Sequence, residues 1–181
     1  MTTGSDLRTL RRNRGLTLVE LAKALGKSVG WMSQVERGVS QINTEDLDKL
    51  ADVLEVSPSL LQQPRAEAPG EEGRIVRSGH RRAIGHRHEG LVEALISPDL
   101  TDSFEIVHST FLPSTSLREP VRRDTQEIGF ILAGKLDLSF GEKKFTVGVG
   151  DSFRIRNEPY LWANPYKEAA VALWVISPPV Y

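Results

Sequence analysis

The stretch TLVELAKALGKSVGWMSQVERG, residues 17–38, decides the fold of the first part of this chain. Its apolar residues recur at the three- and four-residue spacing of an amphipathic helix, and Thr17 and Ser28 stand where helices would begin. Thr17 and Glu20 form a capping-box pattern, in which a hydroxyl and a carboxylate satisfy each other's backbone amides. Gly26 falls between the two periodic segments. The stretch therefore predicts two short helices joined by a tight turn.

The second of these helices is predicted to bury Met32 and Val35 and to turn its other face outward. The outward residues are Val29, Gly30, Ser33, Gln34 and Arg37. The major groove admits one helix, and Gln, Ser and Arg side chains read base edges there, while an apolar residue can contact a thymine methyl group. Thr17 and Ser28 stand at helix starts, where amides and hydroxyls can bind phosphates. The pattern favours DNA binding, with a protein-interaction module as the alternative.

Three further helices are predicted around this pair, giving a compact five-helix bundle over residues 1–63. Residues 1–37 carry seven basic and three acidic side chains, whereas residues 38–63 carry one basic and five acidic side chains. A cationic block beside an anionic one is typical of a domain with one face toward a polyanion. An ordinary mixture of solvated charges is the alternative.

The composition of the 181 residues excludes several classes of protein. There is no cysteine, so the sequence excludes a disulfide scaffold, a thiolate zinc finger and a cysteine nucleophile. The N-terminus lacks the apolar core of a secretion signal, and the longest apolar run, residues 169–176, is far shorter than the roughly 20 residues of a membrane helix. We expect a soluble, cytoplasmic protein that does not enter a membrane.

The second part of the chain has a different period. Residues 64–73 are rich in proline, glycine and charge and are predicted to be a linker, and residues 74–181 are predicted to be an all-β domain with turns near Gly141 and Gly148. The predicted strands are Ile75–Arg77, Leu91–Ile96, Phe104–Phe111, Ile128–Leu132, Lys135–Phe140, Phe145–Val147, Ser152–Ile155 and Val171–Ile176. Many short strands at close spacing favour a sandwich or a barrel.

The helical part resembles the lambda-repressor-like (Xre-type) regulators over about residues 5–62. The resemblance rests on Arg8-x-x-Arg11, on Thr17 to Ala22, on Met32 to Gly38 and on Leu47-x-x-Leu50-Ala51-x-x-Leu54. It implies a helix-turn-helix domain in which Val29, Gly30, Ser33 and Gln34 read bases. Val29 and Gly30 offer no side-chain hydrogen bonds, so discrimination is expected to rest on the other two residues.

The strand part resembles the cupin family over residues 105–179. Glu127-x6-Gly134 is similar to the first cupin motif, and Gly150-Asp151 followed by Pro159-Tyr160-x3-Asn164 is similar to the second. The resemblance implies a jelly-roll barrel whose interior can hold one ligand. The whole chain is thus expected to combine an α domain and a β domain.

Metal-binding cupins use two histidines, a glutamate and a third histidine. At the matching positions this sequence has Pro120 and Arg122, or Val121 and Arg123, then Glu127 and Tyr160. A guanidinium, one carboxylate and one phenol do not supply the three or four nitrogen and oxygen donors that a first-row metal takes. We therefore expect that this protein binds no metal or cofactor and is not an enzyme that depends on one.

The same positions can bind an organic molecule. Arg122 or Arg123 offers a fork for a carboxylate or phosphate, and Glu127 can pair with that arginine or accept a hydrogen bond from a ligand amine. The other candidate ligand-binding residues are Tyr160, Trp162 and Asn164. The alternative is an internal salt bridge that fills a barrel without a ligand.

These features predict a transcriptional regulator that binds a duplex DNA operator and a small polar effector. Because one recognition helix buries little surface, a homodimer reading two half-sites is expected. One rival is a DNA-binding protein whose barrel only dimerises. The other is a metal-dependent cupin enzyme using His86 and His88, since HRHEGLVE at residues 86–93 fits the pattern HxHx4E, although Leu100 stands where the motif's glycine would follow.

Overall fold

The computed structural model describes residues 4–62, 70–71, 73–85, 88–98 and 100–180. The chain divides into two compact units. The first holds the residues up to Arg82 together with those around Leu100, and the second holds residues 83–97 and 102–180.

The first unit is helical. Its five helices are α1 (Gly4–Asn13), α2 (Leu18–Ala24), α3 (Val29–Glu36), α4 (Thr44–Leu54) and α5 (Pro58–Gln62). The predicted capping box is present, since the Thr17 hydroxyl accepts from the Glu20 amide and the Glu20 carboxylate accepts from the Thr17 amide. The Ser28 hydroxyl caps α3 by accepting from the Trp31 amide, and Gly26 has the positive φ of 65° that the turn between α2 and α3 requires.

An apolar core and a buried ion pair hold the helices together. Leu21, Met32 and Leu50 are fully buried and belong to α2, α3 and α4. Arg11 of α1 donates from two nitrogens to the Glu36 carboxylate of α3, and burial of this fork is offset by charge-assisted hydrogen bonds. The hydrogen bonds that Arg11 donates to Glu36 raise the pKa of Arg11 despite its burial.

The fully buried Asp6 carboxylate links α1 to two other parts of the first unit. It accepts from Arg82 Nη2 at 2.8 Å and from the Leu100 amide at 3.2 Å. Gly4 begins the same helix, and a Cβ there would lie 2.5 Å from two backbone carbonyl oxygens of α3. The start of α1 is therefore held close against α3.

The second unit is built from antiparallel strands. They are β1 (Arg82–Gly85), β2 (Leu91–Leu95), β3 (Glu105–Phe111), β4 (Thr115–Ser116), β5 (Gln126–Ala133), β6 (Lys135–Phe140), β7 (Lys143–Gly148), β8 (Ser152–Arg156), β9 (Leu161–Asn164) and β10 (Ala170–Ser177). One sheet has the order β1-β2-β3-β10-β5-β8 and the other has the order β4-β9-β6-β7. In the part of the chain that is described, these two sheets are not closed into one barrel, so the expected barrel is not confirmed.

Most predicted strands are confirmed, and one is wrong. Ile75–Arg77 is not a strand; Ile75 is exposed, a 3-10 turn follows at Ser78–His80, and the first strand begins at Arg82. The prediction missed β1, β4 and β9, which are four, two and four residues long and lack a visible alternating pattern. The pairing of β9 with both β4 and β6 stabilises it.

Register partners on β3, β10 and β5 place one set of side chains in the interior. Glu105 lies opposite Ile176, which in turn lies opposite Glu127, and opposed residues share one face of a sheet. In the next buried row Trp174 lies opposite Gly129, which lies opposite Phe153. A Cβ on Gly129 would lie 2.1 Å from Phe153 Cζ, so this glycine makes room for the phenyl ring.

Candidate nucleic-acid interface and ligand cavity

Helix α3 has one face that is buried and another that is exposed to solvent. Met32 and Val35 are buried at 0% and 3% exposure, as predicted. Gly30, Gln34 and Arg37 are exposed, as is Val29 at 41%, while Ser33 is half-buried. The five residues predicted to read DNA therefore lie on or beside the solvent-facing surface of α3.

Hydrogen bonds within the first unit already orient part of this surface. The Gln34 Oε1 atom accepts from the Ser40 hydroxyl at 3.0 Å, which leaves its amide hydrogens directed elsewhere. Arg37 Nε donates to the Ser33 carbonyl at 3.2 Å. We conclude that Gln34 is held by one local contact while keeping donor capacity for a base edge.

The two capping residues differ in the use of their hydroxyls. Thr17 accepts from the Glu20 amide and donates to Glu20 Oε2 at 2.7 Å, so its hydroxyl is fully engaged in the capping box. Ser28 accepts from the Trp31 amide at 3.1 Å and is exposed. Of the two, Ser28 is better placed to donate to a phosphate.

The interior of the second unit contains a small cavity. Its volume is about 20 Å³, which is room for one water-sized group. The lining comes from both sheets and the segments between strands: His88, Leu91, Glu93, Phe111, Leu117, Val121, Arg123, Glu127, Tyr160, Trp162, Trp174 and Ile176. A larger open pocket of about 730 Å³ shares His88, Leu117 and Val121 with it, so the two spaces adjoin.

Glu127 is the central polar residue of this cavity. Its side chain is 1% exposed, and its Oε1 atom accepts from the Thr125 hydroxyl at 2.7 Å and lies 3.6 Å from Arg123 Nη1. Its Oε2 atom is buried and has no hydrogen-bond partner among the described residues. Such an atom costs about 1–3 kcal/mol unless something fills the cavity and donates to it.

Carboxylates surround Arg123. Burial works against its charged form, but Tyr160, Glu127, Glu93 and Glu105 outweigh that effect, so the pKa of Arg123 is raised above its ordinary value. Arg123 therefore remains a guanidinium cation in the interior. Glu105 is fully buried and accepts from the Val180 amide at 3.2 Å.

Two regions of the chain match known protein families. Residues 4–63 match the family described as helix-turn-helix domain, and residues 107–176 match the family described as cupin domain. The chain joins an Xre-like helix-turn-helix domain to a cupin domain. This combination is that of a DNA-binding transcriptional regulator.

Solved structures with related folds include regulators, cupins and an enzyme. An HTH_3 family transcriptional regulator from Vibrio cholerae is 23% identical, covers 98% of this chain and 95% of its own, and has a TM-score of 0.45. An RmlC-like cupin from Shewanella frigidimarina is 11% identical over 59% of this chain and 91% of its own, with a TM-score of 0.50. Hydroxypropylphosphonic acid epoxidase from S. wedmorenis is 16% identical over 96% of this chain and 95% of its own, with a TM-score of 0.47. No curated protein shows significant similarity.

The interior of the cupin domain does not fit the divalent metal that many cupins hold. Where metal ligands would converge, the structure brings together Glu127, Tyr160 and the cationic Arg123, which has no lone pair to donate. Among the described residues, no group of three or more His, Asp or Glu side chains is placed to hold a metal ion. His88 borders the cavity, whereas His86, its partner in the alternative metal site, lies outside the described residues.

The structure divides the predicted ligand-binding residues of the cupin domain. Arg123, Glu127, Tyr160 and Trp162 line the cavity, but Arg122 is exposed and donates to Asn157 Oδ1 instead. Asn164 is also outside the lining.

Asn164 has a structural role instead. Its amide donates to the carbonyls of Phe111 and Glu168, and its Oδ1 accepts from the Tyr166 amide. The sequence analysis missed Glu93 and Trp174 as cavity residues; in the sheet they lie opposite Ser109 and Gly129, a pairing that only the structure shows.

No helix in the described ranges is both long and apolar enough to cross a membrane.

Proposed function

We propose that this protein is a sequence-specific, cytoplasmic transcriptional regulator that binds a duplex DNA operator as a homodimer and whose cupin domain binds a small polar effector without a metal. The solvent-facing side of α3 supports the DNA-binding part, because Gln34 and Arg37 project from a short helix whose opposite side is buried. A helix of this kind fits the major groove. Nothing in this proposal assigns a catalytic role to any residue.

The exposed basic residues support contact with phosphates. Arg8, Arg12 and Lys23 are exposed and have no carboxylate partner in the described ranges. Cations of this kind release counterions from DNA, so affinity is expected to fall steeply as salt rises.

A homodimer follows from the size of α3 and from the outer face of the cupin domain. Eight residues of α3 contact only a few base pairs, and a twofold-symmetric operator supplies two such half-sites. On β5 the outward side chains Ile128, Phe130 and Leu132 are 47%, 41% and 45% exposed, and Val175 beside them on β10 is 38% exposed. An apolar patch of this kind marks an interaction surface, and we assign it to a second copy of this chain.

Selection of binding sites from random duplexes tests DNA recognition. The expected product is an inverted repeat whose half-site centres are about 34 Å apart, one helical turn. The double variant Ser33→Ala/Gln34→Ala should lose discrimination while folding normally, and Gln41→Ala, an exposed change outside α3, should retain it. Unchanged discrimination in the double variant would contradict the assignment of the reading helix.

Light scattering tests the dimer separately. We expect twice the chain mass for the wild type and the monomer mass for Phe130→Glu, since a charge in the centre of the β5 patch opposes its burial. A wild-type monomer at micromolar concentration would contradict the proposal.

A second candidate, a cupin domain that only dimerises, is favoured by the cavity of about 20 Å³, which is small for an organic effector. A thermal-shift screen separates the two candidates, because a bound molecule raises the melting temperature with its concentration.

Metal analysis of protein purified without a histidine tag tests the absence of metal. Stoichiometric iron, zinc or manganese that is lost in His88→Ala would overturn the proposal that the cupin domain works without a metal.

A further inference from the structure

The interior of the cupin domain also indicates the charge of its ligand. We propose that the cavity binds the ammonium group of a small primary amine, whose remaining atoms occupy the adjoining open pocket; this inference rests on the proposed effector-binding function.

The unpartnered oxygen of Glu127 carries the argument. Glu127 Oε2 is buried, borders the cavity, and accepts no hydrogen bond from the described residues, while Oε1 already receives the Thr125 hydroxyl. A carboxylate oxygen can only accept, so the missing partner must be a donor. A carboxylate or phosphate ligand would place a second anion against it.

The charges around the cavity favour a cation. Glu93 borders the cavity and accepts from the Ser109 hydroxyl at 2.9 Å, and the buried Glu105 lies directly opposite the cavity-lining Ile176 in the sheet. Among the described residues, the interior therefore contains three carboxylates, those of Glu93, Glu105 and Glu127, and one guanidinium, that of Arg123. Added positive charge is therefore better tolerated here than added negative charge.

The cavity wall favours a cation for a second reason. Four of its lining residues, Phe111, Tyr160, Trp162 and Trp174, are aromatic. The faces of aromatic rings attract cations, most strongly when water is excluded, and all four residues are buried at 5% exposure or less. An arrangement of aromatic rings and a carboxylate is the usual chemistry for binding an ammonium group.

The size of the two spaces selects a primary amine. A volume of about 20 Å³ holds one water-sized group, and an ammonium group is of that size. The open pocket of about 730 Å³ shares three lining residues with the cavity and is lined by polar residues 114–116 and 118–119, so it can hold the rest of the molecule.

Three probes of equal length test the charge of the ligand. We would compare n-butylamine, n-butanol and n-butyrate by thermal shift and by tryptophan fluorescence on the whole 181-residue chain. We expect butylamine to raise the melting temperature and to change the fluorescence in a saturable way at millimolar concentration. The other two probes should bind at least about tenfold more weakly.

Variants then locate the site. Glu127→Gln replaces the free oxygen with a donor or with a weaker acceptor, so amine affinity should fall about tenfold or more. Glu142→Gln, in the exposed turn between β6 and β7, should leave it unchanged. Arg123→Met removes the competing cation, so amine affinity should be kept or increased, and this variant decides the question if Glu127→Gln fails to fold.

The outcomes separate this inference from the proposed function. Tighter binding of butyrate, lost in Arg123→Met, would overturn the amine assignment and retain effector binding. No response to any of the three probes would also overturn it, while operator binding, measured independently by fluorescence anisotropy, would decide whether the regulator assignment stands.

Discussion

The space that Gly129 leaves for Phe153 gives a quantitative prediction. In Gly129→Ala the new methyl carbon would lie 2.1 Å from Phe153 Cζ and 2.6 Å from both Cε atoms, which no contact between carbon atoms tolerates. The ring must therefore move, and it loses its edge-to-face contact with Trp174, whose centroid is 5.0 Å away.

The expected loss of stability in Gly129→Ala has two parts. Overpacking of a well-packed interior costs about 1–3 kcal/mol. The aromatic pair contributes about 0.5–1.5 kcal/mol beyond the area it buries. We therefore expect Gly129→Ala to lower the free energy of unfolding by roughly 1.5–4.5 kcal/mol, adding the two ranges.

A double-mutant cycle in urea isolates the cause. Phe153→Ala removes the ring that the methyl group would strike, so Gly129→Ala should cost much less in that background, and the coupling energy should exceed about 1 kcal/mol. If the two changes are additive within about 0.5 kcal/mol, or if Gly129→Ala is silent alone, the packing argument is refuted.

Three further predictions concern stability. Gly4→Ala places a Cβ 2.5 Å from two carbonyl oxygens, so it should lower the free energy of unfolding, measured in urea, by about 1–3 kcal/mol. Gly79→Ala has open space around the new Cβ and should lower this free energy little. Equal losses in the two variants would contradict the packing argument. Asn164→Ala leaves buried carbonyl groups without a donor and should cost about 1–3 kcal/mol by the same measurement, and a loss below about 0.5 kcal/mol would contradict its structural role. The Thr17 amide and hydroxyl lower the pKa of Glu20, so Glu20 stabilises the fold above the ordinary carboxyl pKa and this contribution disappears as pH falls through the lowered value. Urea unfolding at several pH values should therefore show wild type exceeding Glu20→Gln at neutral pH and approaching it in acid; a gap independent of pH would contradict the capping argument.

The helical unit was predictable because its signals are local. Each cap uses a residue within three positions of the amide it satisfies, as Thr17, Ser28 and Asn43 do, and such pairs are visible in a single sequence. Strand β6 was predicted to the residue because Leu136 and Leu138 alternate with polar neighbours. In contrast, β9 has four residues and is held by its neighbours in the sheet, which sequence does not reveal.

The cavity was predictable only in part. Resemblance to cupins gave Glu127, Tyr160 and Trp162, but it left open whether Arg122 or Arg123 enters the interior. Adjacent residues of an extended segment point to opposite sides, so that choice depends on a register shift of one residue. Trp174 reaches the cavity from the last strand, a distance along the chain over which no local pattern carries information.

Strand β5 buries a charged side chain and exposes three apolar ones, whereas a half-buried strand usually buries its apolar side chains. It buries Glu127 beside a small cavity and exposes Ile128, Phe130 and Leu132. Replacing an incompletely satisfied buried carboxylate by an apolar side chain of similar volume is often stabilising. A laboratory screen for heat-tolerant variants would therefore favour apolar substitutions at Glu127, and the most stable of these variants should be the ones that no longer respond to the proposed effector.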